Sequence, residues 1–455
     1  MRSLIFGYRC ATSGQEDSGI ESANSNRFKV NQKKVFYGWY VIIALSIVGL
    51  AASAVRYTFS VFAPSLLQEF GWTRTTMGFA FTLHFWISCI IAPLVGLGLD
   101  KLGGRFILVI GSIFLLVSMI LLSTLASVWQ LHIYYGVLAG IGLGCTFLAP
   151  ISSIARKWFV RKAGVATSIV LTGSGLGLSI APPIVSLLIG EFGWRAAYNI
   201  FGIPVALLCI LVAGFVIRNS PESMGLLPDG AKNTTSYTGA LESPVECNAL
   251  LIDEKDWEVR EAIGTANFWL INLAYGLCPL GVIAIITHMV TWAHDFQIDR
   301  ESAALALFML GICSVLSRIV GGVLCDRFGA KLPIYISAIA LAIVNLYALK
   351  VSDKTSLYIF SLAMGLFYGL QLPCWAPLLG DLFGRKSIGT LMGIMSFSFG
   401  CISGPGPTIF GWIFDRYRSY NMAFLLMTVC FLIAYLFVLM IRPRTKGLLR
   451  SEEVS

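Results

Sequence analysis

Two arginines stand out because each lies inside a long apolar stretch of the sequence. Arg318 lies eight residues before Asp326, so in a helix it would sit about 12 Å inside that end. Arg56 lies in the second half of the first apolar stretch, and all 24 acidic residues fall in tails, loops or helix ends. A charge in an apolar environment is costly and is functional by default. Because a planar guanidinium suits a bidentate carboxylate, the pair predicts a binding site for an organic anion.

Each arginine also has a second interpretation. Arg318 could form an internal ion pair, although no predicted span contains an acidic residue to receive it. Arg56 could steer anions inward rather than hold them, or it could extend to the lipid headgroups. Because no protein counter-ion is expected, an anionic substrate is the simplest group that could neutralise the two positive charges.

Three tyrosines and one histidine are further candidates for the site. Tyr57, Tyr135 and Tyr368 carry phenols that can hydrogen-bond a carboxylate and still tolerate burial, although core packing is an equal alternative for each. His288 lies well inside a span and is a candidate for proton coupling because imidazole titrates near neutral pH. The alternative is a structural histidine.

Apolar runs of helical length must position these residues. The 455-residue chain is 56% hydrophobic and 13% charged, with a mean hydropathy of +0.78. Soluble domains carry about 25% charged residues, so a cytosolic enzyme of several domains is excluded. A membrane-spanning helix needs about 20 apolar residues, and twelve runs of this kind occur, at about 37–66, 77–98, 106–127, 130–153, 164–189, 195–217, 267–292, 302–324, 332–350, 356–380, 388–411 and 421–441.

The order of six runs, a polar stretch and six more runs predicts an all-α membrane protein with 12 transmembrane helices in two six-helix repeats. The predicted organisation is a tail, an N-terminal half, a linker, a C-terminal half and a second tail, at 1–35, 36–217, 218–264, 265–441 and 442–455. The composition of the linker is typical of a tether.

The distribution of Lys and Arg predicts that both termini and the linker are cytoplasmic. In that orientation 24 of the 33 basic residues lie inside, seven lie in outside loops, and Arg56 and Arg318 lie within spans. This is the positive-inside pattern of a multi-pass protein, here expected in the cell membrane. The net charge of +9 is therefore interpreted as topology rather than as nucleic-acid binding.

A charged motif recurs in the two halves. The pattern Gly-x3-Asp-[Lys/Arg]-x-Gly-x-[Arg/Lys] begins at Gly96 and again at Gly322, and Phe159-x-Arg161-Lys162 returns as Phe383-x-Arg385-Lys386. We expect the first glycine of each motif to allow close helix approach, and Gly103 and Gly329 to form tight turns. Charged residues at the rim of a transporter with two moving halves can form contacts that stabilise one conformation. Alternatively, the charges of the motif serve only to fix the orientation of the helices in the membrane. The candidate gating residues are Asp100, Arg105, Arg161, Lys162, Asp326, Arg327 and Lys331.

With the twelve spans and the repeat, this motif resembles the signature of the major facilitator superfamily over about residues 36–445. Within the superfamily the chain is similar to the monocarboxylate porters and their prokaryotic relatives, including the oxalate:formate antiporters. The similarity rests on three features: Tyr37-Gly38-Trp39-Tyr40, Trp158-Phe159-x-Arg161-Lys162-x-Gly164-x-Ala166, and the position of Arg318 four residues before Gly322. The resemblance implies that Arg318 is the substrate arginine and that Tyr135 and Tyr368 occupy cavity positions.

The sequence departs from these families at two positions, and each departure narrows the expected transport mechanism or substrate. Ser314 stands where the porters often carry an aspartate four residues before the arginine, which argues against a porter-like proton relay. The run at 388–411 has no lysine, whereas the oxalate exchangers carry one there, so a monocarboxylate is favoured over a dicarboxylate. Coupling stays open between a proton on His288, a proton carried by the substrate, and exchange without protons.

The combined prediction is a secondary transporter that moves a small organic anion, most simply a monocarboxylate, by alternating access. The polar segments carry no P-loop, Ser/His/Asp set or metal cluster, so we expect neither an enzyme nor a cofactor. The expected partners are the anion, with or without a proton, and the lipid bilayer, without nucleic acid, and the superfamily implies a monomer. Two alternatives remain: an exporter of another small solute or drug, and a transporter-like receptor that senses an organic acid and signals through the linker.

Overall fold

The computed structural model describes residues 36–160, 162–230, 257–384 and 387–441, and within these ranges the chain is helical with no strand. The predicted tails 1–35 and 442–455, the centre of the linker, Arg161 and the side chain of Asp100 lie outside the described part. Twelve helices are numbered here in chain order. They are α1 Tyr37–Phe70, α2 Arg74–Lys101, α3 Gly104–Ser123, α4 Val128–Trp158, α5 163–192, α6 194–216, α7 Ala266–Asp295, α8 Arg300–Phe328, α9 Lys331–Ala348, α10 Lys354–Phe383, α11 Ile388–Tyr417 and α12 Asn421–Met440.

The boundary between α5 and α6 decides the number of crossings. Within the described residues, 11 helical segments are long and apolar enough to cross a membrane, and one of them, Gly164–Val216, has 53 residues. At 1.5 Å per residue such a segment would span about 80 Å, nearly twice the thickness of a bilayer. The backbone leaves the helical region at Gly193, where φ is 77° and ψ is 164°. Dividing the segment there gives two crossings, which confirms the predicted twelve.

The termini of several helices are fixed by side-chain caps. The side chains of Thr73, Thr265, Asp299 and Asp353 accept hydrogen bonds from backbone N–H groups three residues later, the usual means of satisfying the first turn of a helix. Several helices depart from regular geometry in their interiors, among them α6, which is π-helical at Tyr198–Gly202 and Val212–Val216. In α4, His132–Ala139 is π-helical and Phe147 is extended, and α10 contains a 3-10 turn at Leu372–Cys374.

The first six and the last six helices form two halves that meet mainly along three helix pairs. Across the halves α5 lies against α8, α2 against α11 and α1 against α7. Because each half makes six crossings, Tyr37 and Met440 lie at the same end of the bundle, which is called the terminal end here; the opposite end is called the distal end. The halves approach closely near the distal end, where a Cβ added to Gly78 would lie 2.2 Å from the Pro407 carbonyl oxygen.

The ends of the predicted linker are bound to the helices rather than free. After α6, Asn219 Oδ1 accepts a hydrogen bond from Arg105 N at 2.9 Å, and Asp229 Oδ2 accepts one from Val160 N at 3.0 Å. Before α7, Trp257 N donates to the Phe383 carbonyl at 3.1 Å. The prediction of a tether over all of 218–264 was therefore wrong at both ends. Composition could not show this, because the partners are distant in the sequence.

The glycines of the repeated motif gave one correct and one wrong prediction. Gly103 and Gly329 have φ of 86° and 83°, which confirms the tight turns and explains glycine there. At Gly96 and Gly322, in contrast, an added Cβ would meet nothing within 4 Å. The expected close helix approach is absent at these two positions because their faces have no neighbour in this conformation.

Candidate substrate-binding site

Arg318 links the two halves near the middle of the bundle. It lies in α8, about 15 Å from the end of that helix at Phe328 by helical rise, and its side chain is half-buried. Nη1 donates to the Leu171 carbonyl of α5 at 3.1 Å. Gly175, one turn along α5, lies beside the guanidinium: an added Cβ would lie at an ordinary contact distance of 3.5 Å from Nη1 and Nη2, and 2.3 Å from Val315 Cγ2. The Nε atom has no hydrogen-bond partner, so part of the donor set is unused.

Arg56 is the more deeply buried of the two arginines, with 6% of its surface exposed. It lies in α1, and its guanidinium carbon is 4.2 Å from the centroid of the Phe147 ring and 5.2 Å from that of Phe85. Contacts of this kind stabilise a desolvated cation by about 2 kcal/mol. Phe147 is the residue at which α4 departs from helical geometry. The Nε atom of Arg56 also has no partner.

Tyr57 and Tyr368 join the two arginines into one cluster between the halves. The guanidinium of Arg318 lies within electrostatic range of both phenols, and Tyr368 in turn lies within range of Tyr57 and Arg56. Neither phenol is fully buried. Among the residues that the structure describes, no ion pair reaches either arginine and no hydrogen bond uses either phenol. The cluster therefore holds two cations and two hydroxyls, and no carboxylate of the described residues pairs with either cation.

Tyr135 lies beside this cluster, but its hydroxyl is already used. It donates to the backbone carbonyl of Arg56 at 3.1 Å. Its ring stacks on Phe59 and on His84, with centroids 4.1 and 4.8 Å apart. This arrangement fixes α1 against α4 and places Tyr135 as a support for Arg56.

His288 lies away from the arginine cluster, near the distal end of the C-terminal half. Its side chain is buried, its Nε2 is 2.8 Å from the Pro407 carbonyl, and its Nδ1 is 3.0 Å from the Tyr420 hydroxyl. Both ring nitrogens are therefore occupied by one tautomer: Nε2–H donates to the carbonyl and Nδ1 accepts from the phenol. The structure does not bring this histidine together with the predicted substrate residues.

The candidate gating residues make contacts within one half where they are described. The backbone N of Arg105 bonds to Asn219, the backbone N of Lys162 bonds to Asp229 at 3.3 Å, and Lys331 Nζ donates to the Ile441 carbonyl at 2.6 Å. Asp326 and Arg327 are exposed. Their role as a latch between the halves stays a prediction, for a conformation in which the terminal ends approach each other.

A different set of polar contacts, at the distal end, does join the halves. Arg74 of α2 forms a bidentate ion pair with Asp295 of α7, in which Nη1 is 2.7 Å from Oδ2. The guanidinium carbon also lies 3.5 Å from the centroid of the Phe414 ring in α11. The carboxylate of Asp415 accepts from the backbone N of Arg74 at 3.1 Å and of Thr75 at 2.8 Å. We call Arg74, Asp295 and Asp415 the distal latch.

Two further contacts support this closure. The hydroxyls of Thr82 and Thr408 are 2.7 Å apart, and Arg300 Nη2 donates to Ser65 Oγ at 3.1 Å. Sequence reasoning missed the distal latch because basic residues outside the spans were counted only for topology, and acidic residues were noted only as lying in tails, loops or helix ends. A usable signal was available: charges of opposite sign end three spans, α2, α7 and α11, at one side of the bundle.

Comparison with known proteins places this geometry in a family. Residues 45–292 and 268–454 match the sequence profile described as the Major Facilitator Superfamily. The chain is similar to monocarboxylate transporter 12 of Homo sapiens, with 26% identity over 440 residues that cover 90% of this chain and 83% of the relative. For the Rattus norvegicus protein of the same name the values are 24%, 86% and 82%. Monocarboxylate transporter 2 of Homo sapiens is 26% identical, with coverage of 86% and 82%.

Solved structures share the fold at lower identity. A crystal structure of a D-xylose–proton symporter superposes with a TM-score of 0.71 at 16% identity, covering 90% of this chain and 99% of that one. The xylose transporter XylE from E. coli in an inward-open conformation gives 0.69 at 16% identity, with coverage of 90% and 98%. These likenesses confirm the fold of two six-helix repeats.

Proposed function

Because this chain belongs to the major facilitator superfamily and is a multi-pass membrane transporter rather than an enzyme, we propose that its cargo is a small organic anion. A monocarboxylate fits best. The halves 36–217 and 265–441 move against each other by alternating access around the arginine cluster, and 218–264 connects them. In this proposal the terminal end faces the cytoplasm, the membrane is the cell membrane, and the protein works as a monomer without a nucleic-acid partner.

One observation carries the proposal: Arg56 and Arg318 share one cluster, and no carboxylate of the described residues pairs with either. An uncompensated charge inside a membrane protein is expensive, and Arg56 and Arg318, each within electrostatic range of Tyr368, both carry this cost. A carboxylate placed between the halves would relieve both costs. The relatives named monocarboxylate transporters agree with this chemistry.

The roles of the site residues follow from their contacts. Arg318 would hold the carboxylate, since its guanidinium reaches across the interface and keeps an unused donor. Tyr57 and Tyr368 would donate hydrogen bonds to the carboxylate or to a neighbouring hydroxyl of the substrate. Arg56 would act mainly through its field, because Phe147 and Phe85 flank its guanidinium. Tyr135 would keep Arg56 in place.

In this proposal the closed distal end corresponds to one step of the transport cycle. With the distal latch formed, the site could exchange solute only through the terminal end. In the opposite state the latch would break, and the motif charges Asp100, Arg105, Arg161, Lys162, Asp326, Arg327 and Lys331 would come close enough to close the terminal end. His288 would then serve the packing of the C-terminal half rather than the substrate.

Uptake into proteoliposomes tests the proposal. We expect wild-type protein to accumulate labelled lactate or pyruvate, Arg318→Ala to abolish uptake, and Arg318→Lys to reduce it at least about tenfold, because lysine cannot form a fork and charge-assisted hydrogen bonds contribute about 1.5–3 kcal/mol. The matched control is Arg416→Lys, an exposed arginine in α11, which should keep uptake within about twofold. Unchanged uptake in Arg318→Ala would refute the anion site. Binding of the acid without flux would favour the receptor, and flux of neutral or cationic solutes would favour the exporter.

A further inference from the structure

His288 connects two elements of the C-terminal half that both contact α2 of the other half. Its Nε2–H donates to the Pro407 carbonyl of α11 at 2.8 Å. Its Nδ1 accepts at 3.0 Å from the hydroxyl of Tyr420, the residue before α12. Only 3% of the surface of His288 is exposed, and a buried polar group is costly to leave unpaired. One side chain therefore fixes the positions of α11 and α12 relative to each other at the distal end.

Tyr420 extends this connection to the distal latch. The centroid of its ring lies 5.2 Å from the guanidinium carbon of Arg74, and its hydroxyl lies within electrostatic range of the same group. Its ring also lies 4.7 Å from that of Phe414, the other aromatic contact of Arg74. An arginine is attracted to aromatic rings only in a suitable relative position. Because His288 holds the Tyr420 hydroxyl, it also fixes the position of the ring beside Arg74.

Pro407 extends the connection to the close approach of α2 and α11. The regular helix of α11 is interrupted by a turn at 404–405, and Pro405 and Pro407 have no N–H to contribute to its hydrogen-bond ladder. The carbonyl oxygen of Pro407 is the atom that a Cβ added to Gly78 would approach to 2.2 Å. The same oxygen accepts from His288. The imidazole therefore braces an interrupted part of α11 at the point where α2 packs against it.

We propose that His288 and Tyr420 are positioning residues of the distal gate. His288 orients the Tyr420 phenol and the Pro407 carbonyl, and these two groups form part of the surface that the C-terminal half offers to α2. This inference rests on the proposed function, because the distal latch is a gate only if the two halves alternate. The hydrogen bonds of His288 lie within one half, whereas the contacts that they orient cross between the halves. Loss of these bonds should weaken distal closure although Arg74 and Asp295 are both still present.

Hydrogen–deuterium exchange of the purified full-length protein tests the proposal with Tyr420→Phe, which removes only a hydroxyl. Exchange in 74–82 of α2 should rise about three- to tenfold, the range expected for one intramolecular hydrogen bond. The matched control is Tyr335→Phe. It removes a hydroxyl that donates to the Val438 carbonyl at 3.1 Å in the same half, at the terminal end, and should leave 74–82 unchanged.

The location of the change separates a positioning role from a merely structural one. Residues 74–82 belong to the N-terminal half, whereas Tyr420 belongs to the C-terminal half. If the hydroxyl serves only the packing of its own half, Tyr420→Phe will raise exchange within the C-terminal half and lower the unfolding temperature. Exchange in 74–82 would then equal that of the wild type, and this result would overturn the proposal.

Two double variants test the route of the effect. If Tyr420 acts through Arg74, Tyr420→Phe should add less than about twofold to exchange in 74–82 of Arg74→Ala, since residues acting through one contact are not additive. His288→Gln keeps an amide near Nε2 for the Pro407 carbonyl but loses the acceptor for Tyr420. Combined with Tyr420→Phe, it should raise exchange no more than the larger single effect. Fully additive increases in both double variants would overturn the proposed route, and the Arg74 pair decides it alone if His288→Gln does not fold.

Uptake of labelled lactate separates this inference from the proposed function. If the wild type accumulates lactate but Tyr420→Phe exchanges in 74–82 as the wild type does, the positioning role is refuted and the anion transporter stands. If the wild type transports no organic anion, the proposed function fails. A selective rise in 74–82 would then still show that His288 and Tyr420 orient the contacts between the halves.

Discussion

The distal latch offers a direct perturbation of the conformational equilibrium. Arg74→Ala removes two charge-assisted hydrogen bonds to Asp295 and the contact of the guanidinium with the Phe414 ring. The side chains of Arg74 and Asp295 are 13% and 28% exposed, so solvent screens the pair only partly. All of these contacts join the two halves and must break when the distal end opens. The variant should therefore destabilise the closed state specifically.

The size of the effect follows from the bonds lost. Charge-assisted hydrogen bonds contribute about 1.5–3 kcal/mol each, and partial hydration of the remaining carboxylate offsets some of this. We expect the closed state to lose about 2–3 kcal/mol relative to the open state. Since about 1.4 kcal/mol is a factor of ten, the ratio of closed to open protein should fall about 30- to 150-fold. Asp295→Asn should act in the same direction.

Hydrogen–deuterium exchange measures this shift without added labels. Backbone amides at the distal ends of α2 and α11, in 74–82 and 406–417, should exchange faster in Arg74→Ala because the helices separate more often. The matched control is Arg195→Ala. It breaks the ion pair between Arg195 and Glu69, 2.6 Å long at the same end of the bundle but within the N-terminal half. Equal exchange of these segments in Arg74→Ala and wild type would refute the assignment of the distal latch.

Two other outcomes follow from the structure. A methyl group at Gly78 would lie 2.2 Å from the Pro407 carbonyl oxygen. Gly78→Ala should therefore separate α2 from α11, raise hydrogen–deuterium exchange in 74–82 and 406–417, and slow uptake. The control Gly190→Ala, where an added Cβ meets nothing within 4 Å, should have none of these effects. The hydrogen bond from Lys354, with those from Ser302, lowers the pKa of Asp299 from 3.8 to about 2. The ionised Asp299 therefore stabilises the folded protein above about pH 4, and this stabilisation is lost as the pH falls toward 2. Asp299→Asn should therefore flatten the fall in unfolding temperature between pH 4 and 2, and an unchanged acid slope would contradict that assignment.

The sequence predicted the helices well because apolar runs of membrane length leave few alternatives. The predicted run at 388–411 and the observed α11, Ile388–Tyr417, share their start. The run ends early because Asp415 and Arg416 mark a polar end although the helix continues. The π-helical segment His132–Ala139 of α4 left no recognisable signal, since its residues are as apolar as those of a regular helix.

The candidate site was predictable only where a charge stands out against an apolar background. Arg56 and Arg318 did so, and the structure brings them together with Tyr57 and Tyr368. His84 and His288 look alike in sequence, and only the partners of their ring nitrogens separate them. The pairing of Arg74 with Asp295 spans 221 residues, and composition carries no information about which distant helix ends meet.

The central claim is that two unpaired guanidinium groups select a carboxylate, and one comparison of affinities tests it most directly. Purified protein is titrated with lactate and with lactamide, its neutral amide of nearly the same shape. Charge-assisted hydrogen bonds are about twice as strong as neutral ones, so the wild type should bind lactate at least about tenfold more tightly than lactamide, and Arg318→Ala should lose most of that preference. Equal affinity of the wild type for the two compounds would contradict the claim.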